Sequence, residues 1–201
     1  MTARFVALEG IDGCGKSTQA ALLADALRAQ GHDVVLTREP GGTALGEGVR
    51  NLVLAGGEMA PAAEALLFAA ARAQLVAEVV RPALDAGRWV VTDRFVDSSL
   101  AYQGAARGLG IDDIWEINRP AVGECLPDLA VVLDVPARVA TERDTGPHDR
   151  IEAEGVALQE AVATGYRELA SRFPERVSIV SGDGTVEQVH ARVMALVDAL
   201  G

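Results

Sequence analysis

Lysine is almost absent from this sequence of 201 residues, because Lys16 is the only one among 18 basic side chains. Cysteine is nearly absent too, with only Cys14 and Cys125. Two cysteines do not make the disulfide framework on which small secreted proteins depend. A reducing compartment, the cytoplasm, is therefore the expected location.

Positive charge is scarce overall, and the formal net charge is -11. Such a surface offers no long-range attraction to a polyanion, which excludes general binding to nucleic acid or to an anionic membrane. A phosphorylated ligand must instead be held by a local cluster of arginines that overcomes the unfavourable field of the whole chain.

Long uninterrupted hydrophobic runs are also lacking. The most apolar window, residues 60–84, contains the polar side chains Glu64, Arg72, Gln74, Glu78 and Arg81. This window predicts a buried helix and not a membrane span. Near the N-terminus, Glu9 and Asp12 interrupt the apolar stretch too early for a signal peptide, so we expect no membrane partner.

The single lysine lies in the segment GIDGCGKS, residues 10–17, which matches the phosphate-binding pattern G-x-x-x-x-G-K-[ST]. An ammonium on a thin stem can reach between the β- and γ-phosphates of a nucleotide, whereas a planar guanidinium cannot. The glycines let backbone N–H groups converge on the anion, and Ser17 offers a hydroxyl to Mg²⁺. The predicted ATP-binding residues are Gly10, Ile11, Asp12, Gly13, Cys14, Gly15, Lys16, Ser17 and Thr18.

The neighbouring sequence supports this interpretation of the loop. Residues 4–9 predict a short apolar strand, and residues 19–30 show helical spacing that ends at Gly31. Strand, glycine loop and helix is the order that a phosphate-binding loop requires. The alternative is an accidental glycine-rich turn.

The rest of the chain alternates between predicted strands and helices. Further strands are predicted at 33–37, 88–92, 128–134 and 177–181. Helices are predicted from a cap at Thr43 to about 54, at 61–86, 97–106 and 111–124, from Pro136, and at 152–173 and 186–200. This alternation predicts an α/β domain spanning 1–201, with a five-stranded parallel sheet flanked by helices on both faces.

Ligands of such sheets bind at the carboxyl ends of the strands, where Asp93 and Arg94 follow a hydrophobic run. Asp93 is the preferred Walker-B-type carboxylate, so that Ser17 and Asp93 would hold Mg²⁺. Asp134 also ends an apolar strand and competes for this role. The structural alternative is a surface ion pair at the strand end.

Phe68 and Arg72 are four residues apart and would share one face of a helix. An aromatic ring and a guanidinium so placed can stack on a base and hydrogen-bond to its edge. Taken alone, the pair is more typical of a core phenylalanine beside an arginine whose stem lies on the surface.

A polar segment at about 138–151 is broken by Gly146 and Pro147 and carries Arg143 and Arg150. Such a segment can act as a lid that covers phosphates, excludes water and stabilises transferring charge. An ordinary exposed helix-loop-helix is the alternative.

Several motifs in this order resemble those of the thymidylate kinase family, from Phe5 to about Tyr166. The phosphate-binding loop alone is generic, but the combination is specific. The motifs are EGIDGCGKST at 9–18, REPGGT at 38–43, Leu67 and Phe68 with Arg72, DRF at 93–95 with Ser98, Ser99, Tyr102 and Gln103, and DRIE at 149–152.

The resemblance implies a P-loop nucleoside monophosphate kinase fold, usually homodimeric, that transfers the γ-phosphoryl group of ATP to dTMP. Phe68 would stack on thymine and Arg72 would hydrogen-bond to the base edge. Arg94 would bind the dTMP phosphate, and Lys16 with Ser17 would serve ATP and Mg²⁺.

The resemblance also assigns roles around the sugar and the base. Asp12 would lie near the 3′-hydroxyl and the metal-phosphate region, and Glu39 would shape the acceptor pocket. Tyr102 would exclude a ribose 2′-hydroxyl. Ser98, Ser99 and Gln103 belong to the same motif, with Ser99 and Gln103 close to thymine.

Gly13 distinguishes two subgroups of the family, since some members carry an arginine at this position in the loop. This chain resembles the subgroup without it, in which lid arginines supply the catalytic charge. Its lid carries fewer arginines than many relatives, and Arg143 and Arg150 are assigned to the phosphates. The resulting catalytic set is Lys16, Asp12, Arg94, Arg143 and Arg150.

Two other functions stay open at this point. A kinase for another nucleoside monophosphate would share the loop and the fold. A P-loop ATPase or switch acting on a protein is the second, although the chain lacks the guanine-reading motif N-K-x-D.

Overall fold

A computed structural model describes residues 3–55, 57–143 and 149–200. Its five strands form one parallel sheet in the order β2-β3-β1-β4-β5. The predicted α/β architecture is therefore confirmed. The strands are β1 (Phe5–Glu9), β2 (Val34–Arg38), β3 (Trp89–Asp93), β4 (Leu129–Asp134) and β5 (Val177–Ser181).

The strand order accounts for the pattern of burial. All five residues of the central strand β1 are buried, because helices flank the sheet on both faces. In the edge strands β2 and β5 only the first residue is buried, and Leu36 and Ile179 stay 41% and 38% exposed. The apolar runs of the sequence thus mark the central strands.

Nine α-helices connect and cover the strands within the described residues. α1 packs against α9, while α3 packs against α2 and α6. They are α1 (Lys16–Ala29), α2 (Ala44–Ala55), α3 (Pro61–Leu75), α4 (Arg81–Asp85), α5 (Val96–Ser99), α6 (Ile111–Val122), α7 (Ala137–Arg143), α8 (Val156–Arg172) and α9 (Val186–Asp198).

Three helices differ from their predicted form. The helix predicted at 61–86 contains a π-helical turn at Val76–Val80, which joins α3 to α4, and a second π-helical stretch at Leu100–Ala106 continues α5. The helix predicted from 152 starts as a 3₁₀ turn at Glu152–Glu154, because Gly155 has φ 82 and interrupts it before α8.

The helix cap predicted at Thr43 is confirmed. The Thr43 hydroxyl caps α2 by accepting a hydrogen bond from the Gly46 N–H at 3.0 Å. Cys14 and Cys125 are both buried free thiols. In the part of the chain that the structure describes, no helix has the length and apolar character needed to cross a bilayer. Gly146 and Pro147, expected to break the lid, lie outside the described residues.

Candidate active site

A cavity of about 420 Å³ lies beside the phosphate-binding loop, where β2 and β3 end. Its lining brings together most of the residues predicted from separate motifs. The predicted residues that line it are Asp12, Gly13, Gly15, Lys16, Ser17, Thr18, Glu39, Phe68, Arg72, Asp93, Arg94, Ser98, Ser99, Tyr102, Gln103 and Arg143. Among the described residues, the lining leaves out Gly10, Ile11, Cys14 and Arg150.

The phosphate-binding loop turns into α1 through Gly15, whose φ is 96. Lys16 is 6% exposed, and its Nζ donates to the Ile11 carbonyl at 2.7 Å while lying 4.0 Å from Asp12 Oδ1. Gly13 has φ 75, and a Cβ added there would stand 2.2 Å from the Ala140 carbonyl oxygen. The close approach of α7 therefore excludes any side chain at position 13, an arginine included.

Ser17 and Asp93 meet at the mouth of the loop. Ser17 Oγ donates to Asp93 Oδ2 at 2.5 Å, and the buried Asp93 Oδ1 has no hydrogen-bond partner among the described residues. A hydroxyl and a carboxylate with an unused oxygen fit a hard cation such as Mg²⁺, which takes its other ligands from water and phosphate. Asp134, the competing candidate, does not line this cavity and accepts a hydrogen bond from Arg167 at 2.9 Å.

Arg94 crosses the cavity floor from the end of β3 to the phosphate-binding loop. Its guanidinium forms an ion pair with Asp12 and donates to the Gly10 carbonyl and to Ser98 Oγ, both at 3.0 Å. Burial alone would raise the pKa of the Asp12 carboxyl, but Arg94 and Lys16 outweigh it and hold that pKa well below its usual range. Asp12 is therefore an anion at any physiological pH.

Glu9 lies beneath this pair and is fully buried. Its carboxylate accepts hydrogen bonds from the Phe95 N–H at 2.8 Å, from Ser98 Oγ at 2.6 Å and from the Tyr166 hydroxyl at 2.8 Å. Burial, aided by the nearby Asp97 carboxylate, raises the pKa of Glu9 from its ordinary 4.5 to about 7.

Phe68 and Arg72 reach the cavity from the same face of α3, as predicted from their spacing. The Arg72 side chain is 1% exposed, and all five of its N–H groups are engaged. Its acceptors are Glu39 Oε2, which takes two hydrogen bonds, Ser99 Oγ, Asn118 Oδ1 and the Phe95 carbonyl. Arg72 therefore has no free donor in this state.

Glu39 is the buried partner of Arg72, and its second carboxylate oxygen, Oε1, has no hydrogen-bond partner among the described residues. Burial raises the pKa of Glu39 although Arg72 acts in the opposite direction. Phe68 remains only half-buried. The base pocket thus offers an accessible aromatic ring beside a fixed guanidinium.

Arg150 lies behind the base pocket. Its guanidinium forms an ion pair with the buried Glu64 and donates to the Val53 carbonyl at 2.9 Å. Glu64 also accepts hydrogen bonds from Gln103 Nε2 at 2.8 Å and from Arg107 Nε at 2.6 Å. The structure thus brings Arg143 into the cavity lining but places Arg150 in a buried network that anchors residues 149–154.

Several residues at the site were missed from the sequence. Arg50 lines the cavity, and its guanidinium donates to the Pro40 carbonyl at 3.2 Å. The sequence feature that could have indicated Arg50 is a lone arginine inside a short, mostly apolar predicted helix. Gln159 and Tyr166, which contact Asp12 and Glu9, are seven residues apart and so lie on one face of α8. No signal in the sequence marked Asn118 as the partner of Arg72, or Glu64 as the partner of Gln103 and Arg150.

Comparisons with known proteins agree with one another. A family model described as "Thymidylate kinase" matches residues 8–193. The thymidylate kinase of Syntrophotalea carbinolica is 45% identical, with 94% of this chain and 92% of that protein aligned. The thymidylate kinase of Rhizorhabdus wittichii is 47% identical, with 100% of both chains aligned.

A solved structure is similar over nearly the same length. The crystal structure of thymidylate kinase from Ehrlichia chaffeensis superposes with a TM-score of 0.82 at 31% identity. The superposition covers 98% of this chain and 99% of that one.

Proposed function

This chain belongs to the thymidylate kinase family, and from that premise we propose how its residues carry out the reaction. The enzyme is an ATP-dependent nucleoside monophosphate kinase that transfers the γ-phosphoryl group of ATP to dTMP, giving dTDP and ADP. The proposal rests on one observation: a single cavity contains both the phosphate-binding loop and the Phe68 pocket, with Arg94 between them.

The donor nucleotide would bind at residues 10–18. The backbone N–H groups of the loop would surround its phosphates, and Lys16 would leave the Ile11 carbonyl to reach them. Ser17 and Asp93 would hold Mg²⁺, which when bound supplies charge neutralisation at the phosphates. The orphaned Asp93 Oδ1 supports this assignment.

The acceptor base would lie on Phe68, with Arg72, Ser99 and Gln103 at its edge. Because every N–H of Arg72 is engaged, a contact with the base requires one acceptor to give way. Ser99 is the residue best suited to do so, since its side chain can rotate away from Arg72 and its hydroxyl can donate a hydrogen bond to the base instead. Glu39 would keep the guanidinium in place during this exchange.

The acceptor phosphate would bind at Arg94, beside Ser98 and Tyr102. An oxygen of that phosphate, already anionic near neutral pH, attacks the γ-phosphorus as the bond to the β-phosphate oxygen breaks, so no strong general base is required. Lys16, Arg94 and Asp12 would position the reactants. The hydroxyl of Tyr102, held by Asp12 Oδ2 at 2.8 Å, would exclude a ribose 2′-hydroxyl.

Of the two predicted lid arginines, Arg143 is better placed to reach the phosphates. It lines the cavity, is exposed, and within the described residues donates a long hydrogen bond of 3.4 Å to the Gly182 carbonyl. Arg150 would act at the phosphates only by leaving Glu64. We therefore propose that Arg143 stabilises the charge on the transferring phosphoryl group, and that Arg150 anchors the C-terminal side of the lid at 138–151.

We also propose a single-domain, homodimeric, cytoplasmic enzyme. One hydrophobic core draws on residues from Phe5 to Val197, which supports a single domain. The packed helices α2 and α3 expose Leu45, Leu52 and Leu66 by 45%, 58% and 58%, which supports a dimer face there. Residues 96–104 are buried within the chain and offer no such face. Two free thiols suit a reducing compartment.

Steady-state kinetics of Phe68→Ala tests the base pocket. We expect the KM for dTMP to rise about tenfold or more, because stacking on an aromatic ring contributes about 1–3 kcal/mol per base. The KM for ATP should stay within about twofold. Phe173→Ala, at the end of α8, is the matched control and should leave both values unchanged. A rise confined to the KM for ATP would mean that donor and acceptor sites are exchanged.

A further inference from the structure

Gln159 reaches from α8 to the phosphate-binding loop and contacts one residue there with both ends of its amide. Gln159 Oε1 accepts a hydrogen bond from the Asp12 backbone N–H at 3.1 Å, and Nε2 donates to Asp12 Oδ2 at 3.0 Å. The side chain is 4% exposed. A backbone N–H only donates and a carboxylate only accepts, so these two bonds fix a single orientation of the amide.

Asp12 is held from three further directions. Arg94, from the end of β3, pairs with Oδ1, and Lys16, from α1, lies 4.0 Å from the same oxygen. Tyr102, from the π-helical stretch, donates to Oδ2 at 2.8 Å. The charged partners thus face Oδ1, whereas Oδ2 and the backbone are held by neutral groups.

The separation between charged and neutral partners of Asp12 becomes important once the substrates bind. The acceptor phosphate would compete with Asp12 for Arg94, and the donor phosphates would draw Lys16 away. Asp12 would then lose its two cations while facing new negative charge. Of the partners that the described residues provide, Gln159 and Tyr102 would continue to hold the carboxylate, and Gln159 would also hold the Asp12 backbone N–H.

We propose that Gln159 is a positioning residue that keeps Asp12 in place, and ionised, while Arg94 and Lys16 turn to the substrates. This inference rests on the proposed role of Asp12 at the phosphates. A neutral amide suits the task, because a cation would compete with Arg94 for the phosphate and a carboxylate would repel Asp12.

Two substitutions separate positioning from packing. Gln159→Met keeps the volume but removes both hydrogen bonds, and we expect kcat to fall about tenfold or more with little change in melting temperature. Gln159→Glu places a second carboxylate about 3 Å from Asp12 Oδ2, where the wild-type amide lies. Two carboxylates so close cannot both ionise freely: the introduced carboxyl can replace the amide while it keeps its proton, but losing the proton sets a second negative charge against Asp12, so kcat should fall as the pH rises, where the wild-type profile shows no such fall.

Gln188→Glu is the matched control, because it adds the same charge at an exposed position on α9. Its pH profile should coincide with that of the wild type. Unchanged kcat in Gln159→Met, together with a kcat–pH profile of Gln159→Glu that coincides with that of the wild type, would overturn the inference.

Asp12→Asn distinguishes this failure from that of the proposed function. If Asp12→Asn is nearly inactive while both Gln159 variants behave like the wild type, the inference about Gln159 alone is wrong. Full activity of Asp12→Asn would refute the role of Asp12 and, with it, that of Gln159.

Discussion

Arg94 is the residue at which the demands on this site converge. It is the one non-glycine residue with positive φ among those described, at 71, a conformation that costs an ordinary residue about 1–3 kcal/mol. Its guanidinium contacts Asp12, Gly10, Ser98, Tyr102 and Tyr166. These partners hold the side chain where an acceptor phosphate would bind, and so stabilise the strained backbone.

Replacing Arg94 with alanine should abolish most turnover while leaving ATP binding nearly intact. The guanidinium would be lost from the acceptor side only, because Lys16 and the loop are unchanged. Steady-state kinetics and calorimetric ATP binding measure the two effects.

Arg94→Gly is the matched control for the backbone, since glycine adopts positive φ without strain. It should be as inactive as Arg94→Ala but unfold at a higher temperature. Equal loss of turnover and ATP affinity in Arg94→Ala would show that the acceptor phosphate has been placed wrongly.

Glu9 should make stability depend on pH in an unusual direction. Its pKa is raised from 4.5 to about 7, so the folded state binds the proton more tightly than the unfolded state. The corresponding stabilisation is complete below about pH 4.5 and is lost as the pH rises through about 7, amounting to about 3 kcal/mol.

Glu9→Gln imitates the protonated acid and should remove this dependence. Denaturant unfolding from pH 4.5 to 7.5 gives the difference in stability between the wild type and the variant at each pH. The pKa of Glu39 is raised as well, but its contribution is the same in both proteins and cancels in this difference. The wild type should lose stability relative to the variant across that range. Parallel curves would contradict the account.

At the scale of elements, α7 and the phosphate-binding loop are packed so closely that they fix each other. A Cβ at Gly13 would overlap the Ala140 carbonyl, and φ at Gly13 is positive. Gly13→Ala should therefore displace the loop or α7 and lower ATP affinity about tenfold or more, measured by calorimetry.

Gly48→Ala in α2 is the control for this substitution. Nothing lies within 4 Å of the added Cβ, and alanine is the better helix former by about 1 kcal/mol. This variant should be slightly more stable and fully able to bind ATP. Wild-type ATP affinity in Gly13→Ala would show that the loop tolerates the displacement.

The elements themselves could largely be predicted from the sequence. Apolar runs placed all five strands to within about a residue, because buried parallel strands consist of little else. The π-helical turns could not be predicted, since apolar spacing does not distinguish them from α-helix. Gly155, which delays the start of α8, resembles any other glycine until its φ is known.

The candidate site, too, could be predicted from the sequence only in part. Motif residues such as Phe68 and Arg72 could be placed because they are close in sequence. Their buried partners could not, since Glu39 and Asn118 lie 33 and 46 positions from Arg72. For Arg150 the sequence motif predicts a contact with phosphate, whereas the guanidinium pairs here with Glu64, 86 positions away in the sequence.

At the scale of the whole molecule, the net charge of -11 is offset locally by arginines at the cavity. Six basic side chains line it, against five carboxylates, so the lining is slightly positive within a strongly negative molecule. The basic ones are Arg38, Arg50, Arg72, Arg94, Arg143 and Lys16, and the acidic ones are Asp12, Glu39, Asp93, Asp149 and Glu152. Anionic nucleotides are therefore attracted at short range, within the cavity, and not by the overall field.

The dimer proposed above belongs to this scale. Leu66→Glu would place a charge in the apolar face of α2 and α3, and we expect a monomer by sedimentation velocity. Leu126→Glu changes a similarly apolar side chain, 37% exposed outside those helices, and should leave the dimer intact. A wild-type monomer, or a dimer that survives Leu66→Glu, would exclude this face.

The most direct test of the central claim is a coupled assay of ADP production with ATP and Mg²⁺, comparing dTMP, dUMP, dCMP, AMP and GMP as acceptors. A cavity that joins the phosphate-binding loop to the pocket of Phe68 and Arg72 predicts a strong preference for dTMP. Preference for AMP or GMP would contradict the base pocket, and ADP production independent of any acceptor would contradict the reaction itself.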